Sequence, residues 1–356
     1  MSKILLPTHH FTFEEIQKGQ WSEEDPYFKD SLLFCQQWLN GQETFELMTS
    51  GSTGTPKKIQ VNRLQMEISA KATGSFFGIE QRPKIFCCLH TCMIAGKMML
   101  VRGLCWNAEI LLVKPKENPL SELEMTETID FAAMVPMQVK ACLEQDLSKL
   151  QKIKTLIIGG APSAPALIEQ ILEAGLNAYQ TYGMTETVSH IALAKIKQAP
   201  LVYTVLPGVE IGTDHEQRLW IKAPMAREEI LQTNDLVEIL NNSQFRWLGR
   251  ADFTINSGGI KIQPEILESK IQPTLEKLLG GKPFFISGIP DEKLGEKLVL
   301  VLESENLGME FSQKLLQELK NILPKYHIPK AVFYVTPFVR TASGKINRPQ
   351  TLKNIP

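Results

Sequence analysis

The stretch "KTLIIGGAPSAPALIEQILEAGLNAYQTYGMTET", from Lys154 to Thr187, decides how the chain is read. "KTLIIGG" is a short apolar run stopped by two glycines, and "NAYQTYG" is a second strand-like run with a similar ending. Between them, Ala164 to Ala174 is a longer polar-periodic segment of helical character. Strand, helix and strand in succession form a βαβ unit, whose two strands lie parallel in one sheet.

The same alternation extends toward the N-terminus. "FELMTS", "KIFCCLH", "AEILLV" and "FAAMVP" read as strands, Arg63 to Phe77 as a helix among them, and Tyr27 to Leu39 as an earlier helix. Such a pattern predicts a mostly parallel sheet covered by helices, with ligands at the carboxyl ends of its strands. The loops "TSGSTGTPK", "GGAPSAP" and "YGMTET" are therefore expected to converge there. From Ile191 to Trp247 the pieces shorten and are punctuated by Gly, Pro, Asn and Asp, which predicts an antiparallel subdomain over about 191–250. Beyond "GRADFTINSGG" follows a compact α/β unit, including "FSQKLLQELKNIL" with Phe311, Leu315, Leu319 and Ile322 on one face. The expected fold class is α/β, with a large domain over 1–250 and a small mobile α+β domain over 251–356.

Bulk composition narrows the function classes. A chain of 356 residues favours about two domains. With 38 Lys+Arg against 39 Asp+Glu the formal charge is −1, which gives no global reason to expect nucleic acid or an anionic membrane as partner. Any anion must be bound locally. The six cysteines lie in the first half without a C-x-x-C pair and read as buried reduced thiols. The N-terminus lacks the apolar core of a signal peptide, and no run reaches the ~18 apolar residues of a membrane span. A cytoplasmic protein without membrane insertion is expected.

A local anion site is suggested by "LMTSGSTGTPKKI", Leu47 to Ile59. Its glycines allow close backbone approach and its hydroxyls supply donors for an anionic oxygen. The spacing Gly51-x-x-Gly54-x-x-Lys57, with no Ser or Thr after the lysine, fails the Walker pattern, and a solvated turn is the alternative reading.

Five elements in order settle between these: this loop, "TYGMTET" (Thr181 to Thr187), "TNDLVEI" (Thr233 to Ile239), "WLGRADFTINSGGIKIQPEILE" (Trp247 to Glu268) and "TASGKINR" (Thr341 to Arg348). Together they resemble the acyl-adenylate-forming superfamily of acyl-CoA synthetases, adenylation domains and luciferases, over roughly Phe45 to Arg348. Within it, "AAMVPMQV", "IIGGAPSAP", "YGMTETVSH" and "VLPGVEI" are most similar to the o-succinylbenzoate–CoA ligases of menaquinone biosynthesis.

The resemblance implies an ATP-dependent acid–CoA ligase working through an acyl-AMP, with ATP, Mg²⁺ and coenzyme A as cofactor and co-substrates. Two anions must meet, so the site has to supply positive charge and oriented donors in place of water. By the resemblance, Thr49, Ser50, Gly51, Ser52, Thr53, Gly54 and Lys57 grip the β- and γ-phosphates. Gly160, Ala161 and Pro162 wall the adenine and acyl group. Tyr182 and Gly183 lie against the adenine, Thr185 bonds the α-phosphate, and Glu186 holds Mg²⁺, a hard cation for which one carboxylate suffices beside waters and phosphates. Asp235 and Arg250 match the pair that bonds the ribose. Asn234 replaces the usual Gly of "TGD", which a left-handed backbone would tolerate. Asp252 occupies the hinge position, Gly258 and Gly259 the loop lining the coenzyme A tunnel, and Lys345 that of the mobile catalytic lysine.

For the acid, His90 is expected to begin the acyl tunnel. Lys97 and Arg102, on an otherwise apolar helix, suit a substrate with a second carboxylate, Arg102 more than Lys97, and the alternative is that both snorkel to solvent. His190 is a further pocket candidate. Small molecules are the expected partners, with a homodimer left open. Two other readings stay open: an aryl or other acid-adenylating protein that serves a different thiol, and a non-catalytic nucleotide-binding homologue. The latter is raised by the short segment before the glycine loop, which begins at Thr49.

Overall fold

A computed structural model describes residues 2–48, 58–79, 82–124, 127–197, 200–226, 229–341 and 346–355. The chain opens with β1 (Lys3–Leu5), β2 (His10–Thr12), α1 (Phe13–Gln17) and α2 (Pro26–Leu39). Asp25 caps α2 by accepting from the Tyr27 amide, with Pro26 in its first turn, where a missing N–H costs nothing. Next come β3 (Thr44–Met48), β4 (Lys58–Asn62) and α3 (Arg63–Phe77). α3 is bounded by an Asn62/Gln65 capping box and by left-handed Gly78.

The central part holds β5 (Lys84–Cys87), α4 (Ile94–Cys105), β6 (Glu109–Leu112), β7 (Phe131–Met134), α5 (Pro136–Gln145), α6 (Leu147–Leu150), β8 (Leu156–Ile158), α7 (Pro165–Glu173) and β9 (Ala178–Gly183). Strands β9, β8, β7, β5, β6 and β1 lie side by side in that order, all parallel. Alternate residues of these strands enter separate cores. Ile85, Cys87, Phe131 and Ala133 face one layer, while Phe86, Cys88, Ala132 and Met134 face the other. Burial on both faces explains why these strands read as unbroken apolar runs.

β10 (His190–Lys195), β11 (Tyr203–Val205), β12 (Glu210–Thr213), β13 (Arg218–Lys222), β14 (Leu231–Asn241) and β15 (Gln244–Arg250) are antiparallel. They do not form a detached sheet. β10 pairs with β9, so they continue the parallel strands into one thirteen-stranded sheet. The second sheet is built from β16 (Ile255–Ser257), β17 (Ile260–Ile262), β18 (Phe284–Asp291), β19 (Gly295–Leu302) and β20 (Ala331–Tyr334). α8 (Pro264–Leu279) and α9 (Met309–Lys320) bury Leu267, Ile271, Leu275, Leu315 and Leu319 against it, and α10 (Arg348–Leu352) follows.

Three expectations are corrected. "FELMTS" is not a strand of the parallel sheet: β3 pairs only with β4, as a two-stranded ribbon with Met48 opposite Lys58. Its apolar Phe45 packs between Phe34 and Trp38 of α2, which satisfies the hydrophobic run without a place in the sheet. Cys92 is exposed, whereas Cys35, Cys87, Cys88 and Cys142 are buried free thiols. Asn234 lies within β14 and is not among the positive-φ residues, so its place needs no left-handed backbone. No helix among the described residues is long and apolar enough to cross a membrane.

Candidate functional site

The carboxyl end of β9 delivers "TYGMTET" to the carboxyl ends of the parallel strands, and three contacts shape it. Gln180, buried in β9, donates to the carbonyls of Ile158 and Ala161 and accepts from the Ser163 amide and hydroxyl, so the loop Gly160, Ala161, Pro162 is tied to β9 while those three residues stay exposed. A Cβ on Gly159 would lie 2.6 Å from Thr181 Oγ1, so the β8 and β9 exits meet where only glycine fits. One on Gly183 would lie 2.4 Å from both His190 Cα and the Ser189 carbonyl, which allows β10 to return directly beneath the motif.

Tyr182 sits edge-on to Tyr203 and Phe245, which stack on each other, and its hydroxyl donates to Asp235 Oδ2 at 2.6 Å. Burial, then the Asp235 carboxylate, push the Tyr182 phenol well above its ordinary range. Asp235, 8% exposed, also accepts from Trp247 Nε1 at 3.0 Å. Arg250 faces Asp235 across the β14–β15 ladder, with Nη1 4.0 Å from Oδ1. The Arg250 guanidinium is bound bidentately to Asp252, Nε to Oδ1 and Nη2 to Oδ2, both at 2.8 Å. The ribose and hinge candidates thus form one cluster, in which Arg250 is engaged by the hinge carboxylate.

Thr185 and Glu186 occupy a single 3-10 turn, Thr185–Thr187. Glu186 is exposed and makes no hydrogen bond or ion pair among the described residues. A free carboxylate at the mouth, with no group of three metal-ligating side chains among the described residues, fits a magnesium ion that takes one protein carboxylate plus substrate phosphates.

Arg102 is the largest fully buried side chain, 2% exposed. Nη2 donates to Ser189 Oγ at 2.9 Å and approaches His190 Nδ1 at 3.4 Å, and Nη1 lies 3.7 Å from Met99 Sδ. Nε has no partner, and no carboxylate pairs with this guanidinium among the described residues. Burial pulls the Arg102 pKa down to about 10. His190 is 5% exposed and held neutral, its pKa driven well below the ordinary range by burial and then by Arg102. The alternative reading, that Arg102 snorkels to solvent, is therefore ruled out.

Two acid candidates are not brought to this point. Lys97 lies five residues before Arg102, about 140° around α4 at ~100° per residue. Its Nζ sits 5.4 Å over the Phe34 ring and reaches the Glu46 carbonyl at 3.5 Å, toward α2 and β3. His90 is exposed in the turn after β5, where its carbonyl accepts from the Met93 amide. Gly258 and Gly259, with φ of 59° and 81°, form the two-residue turn of the β16–β17 hairpin, a geometry that itself calls for glycine. Thr49, Ser50, Gly51, Ser52, Thr53, Gly54, Lys57 and Lys345 lie outside the described residues. Gln180, Trp247 and Ser189 were not singled out from the sequence. A polar residue at an inward strand position, and a tryptophan two residues before the "GR" pair, were the available signals.

Residues 18–216, more than half of the chain, match the AMP-binding enzyme family. The chain belongs to that family. The 2-succinylbenzoate–CoA ligase of Bacillus cytotoxicus is 25% identical, with 95% of this chain and 74% of that protein covered. An acyl-CoA synthetase (AMP-forming)/AMP-acid ligase II-like protein from Dyadobacter fermentans has a solved structure that is 38% identical over 95% of this chain and 97% of its own, at a TM-score of 0.64. The O-succinylbenzoate coenzyme A synthetase of Bacillus subtilis, solved in complex with ATP and magnesium ion, shares the AMP-binding enzyme fold at a TM-score of 0.74, with 23% identity and coverage of 86% and 69%.

Proposed function

We propose that this AMP-binding enzyme is an ATP-dependent acid–CoA ligase acting on o-succinylbenzoate, and that it supplies the thioester of menaquinone biosynthesis. The acid's aliphatic carboxylate oxygen attacks the α-phosphorus of ATP, the bond to the β-phosphate oxygen breaks, and pyrophosphate leaves. The thiolate of coenzyme A then attacks the acyl carbonyl carbon, a C–S bond forms, and AMP departs with the C–O electrons. Relatives and neighbours that are named 2-succinylbenzoate–CoA ligase, or that hold ATP and magnesium ion, support ATP, Mg²⁺ and coenzyme A as its cofactor and co-substrates.

This chain's residues divide the work as follows. Tyr182, braced by Tyr203 and Phe245, presents a flat apolar face to the adenine. Asp235 keeps lone pairs for the ribose hydroxyls after taking two donors. Thr185 would donate to the α-phosphate, and Glu186 would hold a magnesium ion, which would offset charge on the ATP phosphates. The loop from Thr49 to Lys57 grips the leaving pyrophosphate. Lys345 reaches the carboxylate and α-phosphate when residues 251–356 rotate as a small domain against 1–250 about Asp252, and Gly258 and Gly259 line the path of the coenzyme A arm in the second orientation.

The observation that carries the substrate assignment is the Arg102 guanidinium, buried beside the segment that follows Glu186 and without a carboxylate partner among the described residues. A buried unpaired cation is costly, and an anionic ligand group would compensate it. o-Succinylbenzoate carries a second, unactivated carboxylate suited to that place. Pyrophosphate exchange across a panel of acids tests the assignment: o-succinylbenzoate should support exchange, and fatty or simple aryl acids should not. Equal exchange with benzoate would discard the substrate while leaving the adenylating activity.

A further inference from the structure

The Arg102 guanidinium is directed at Ser189 and His190 and is itself buried. At 2% exposure it sits one layer below Ser189, whose side chain is half-buried. Ser189 Oγ accepts from Arg102 Nη2 at 2.9 Å, and its own O–H finds no acceptor among the described residues. A hydroxyl that accepts from a cation and keeps its proton free is a polarised donor.

Its direction is held by the backbone. Val188 has φ 65° and ψ −47°, a strained conformation for a β-branched residue, and the Ser189 amide closes this turn on the Thr187 carbonyl at 2.7 Å. Thr187 Oγ1 lies 2.8 Å from the Ser189 carbonyl and 2.9 Å from the Met184 carbonyl, and only glycine at 183 admits the Ser189 carbonyl, since a Cβ there would lie 2.4 Å from it. Strain of this kind persists only where the surroundings over-determine it.

The guanidinium is held in turn without losing its charge. The hydrogen-bond network assigns His190 Nδ1 as acceptor from Arg102 and Nε2–H as donor to Thr73 Oγ1 at 3.1 Å, while the Thr73 hydroxyl donates to the Ser69 carbonyl at 3.0 Å. An aspartate in place of His190 would neutralise Arg102, whereas a neutral imidazole orients it and leaves the positive charge for a ligand.

We infer that Ser189 is the specificity-determining contact for the second carboxylate of the acid, a hydroxyl through which the buried Arg102 guanidinium acts. This rests on the proposed dicarboxylate substrate. The experiment compares o-succinylbenzoate with 4-oxo-4-phenylbutanoate, the same acid without its ring carboxylate, by pyrophosphate exchange in the wild type, Ser189→Ala, Ser189→Thr and Arg102→Gln. Ser189→Ala should raise KM for o-succinylbenzoate ~10-fold or more, the scale of a hydrogen bond to a charged group, with kcat nearly kept and the monoacid KM unchanged. Ser189→Thr should restore most of the loss, which a packing role alone would not do. Ser189→Asp, which sets a carboxylate against the guanidinium, should abolish use of the diacid and spare the monoacid, with AMP binding by calorimetry as the check on folding. An unchanged KM for the diacid in Ser189→Ala, or equal rises for both acids, overturns the inference. A wild type indifferent to the ring carboxylate, or an Arg102→Gln variant that keeps the preference, overturns the parent reading instead.

Discussion

Asp235 holds two donors before any nucleotide is considered, the Tyr182 hydroxyl at 2.6 Å and the Trp247 indole at 3.0 Å. Its amide donates to Thr233 Oγ1, whose hydroxyl donates to the Leu219 carbonyl, so the carboxylate is fixed from both sides. Tyr182→Phe keeps the aromatic face and removes one charge-assisted bond, and should weaken AMP binding by about 1.5–3 kcal/mol. Calorimetry on AMP checks this, and an unchanged Kd would mean that Asp235 does not hold the ribose. His190 gives a pH test at the same scale. Its folded pKa lies well below the ordinary 6.5, so below pH 6.5 the unfolded chain takes a proton that the folded chain declines. The stability it contributes is complete above 6.5 and falls away as pH drops. His190→Gln, which can still accept from Arg102 and donate to Thr73, should flatten the fall of Tm between about pH 6.5 and 5, and parallel curves for both proteins would refute the neutral-histidine account.

Helix α4 ties these residues to the sheet through two glycines of different kinds. A Cβ on Gly96 would lie 2.3 Å from the His90 carbonyl oxygen and 2.8 Å from the Thr91 amide, backbone atoms that cannot yield. One on Gly103 would lie 2.3 Å from Ile110 Cδ1, 2.5 Å from its Cγ1 and 3.0 Å from Ile85 Cδ1, side-chain atoms that can repack where backbone cannot. Gly96→Ala should therefore cost ~1–3 kcal/mol in urea denaturation, and Gly103→Ala less. The reverse order would mean that α4 shifts as a rigid rod. This helix also marks how far the sequence could be read. α3 was legible to the residue because Asn62 and Gln65 cap it and Gly78 ends it, all local signals. The pairing of Lys97 with Arg102 was not, because five residues of helix turn them to different neighbours, and only tertiary packing decides which cation is buried. β3 was misplaced for a related reason: strand periodicity shows that Phe45 is buried but not against which element, and here that element is α2.

At the scale of the whole molecule, the contact between α8 and β15 joins the two sheets and carries unusual chemistry. α8 places Glu265 against Gly249 of β15, with both carboxylate oxygens buried and without a hydrogen-bond partner among the described residues. Burial raises its pKa to about 7, and Glu268 adds to this. The acid form suits this contact: stability from Glu265 is full below about 4.5 and declines as pH rises through 7, the opposite sign to His190. Arg348, at the start of α10, grips Glu268 with two 2.8 Å bonds and lies over Phe253 and Phe285, so α10 is anchored to α8 and to the turn that carries Asp252. Removing one preorganised donor at a developing charge typically costs ~2.7–4 kcal/mol, on the order of 10²–10³ in rate. On the proposed rotation, in which the second step uses the other orientation, Lys345→Ala should slow acyl-AMP formation by that factor while leaving thioester formation from supplied acyl-AMP and coenzyme A nearly intact. Glu268→Gln, which loosens the anchor and keeps Lys345, should slow the first step more mildly and in the same direction. Both half-reactions are measured separately in both variants. Equal losses in the two steps for Lys345→Ala would remove the rotating-domain mechanism, since a residue that serves both steps does not leave the site between them.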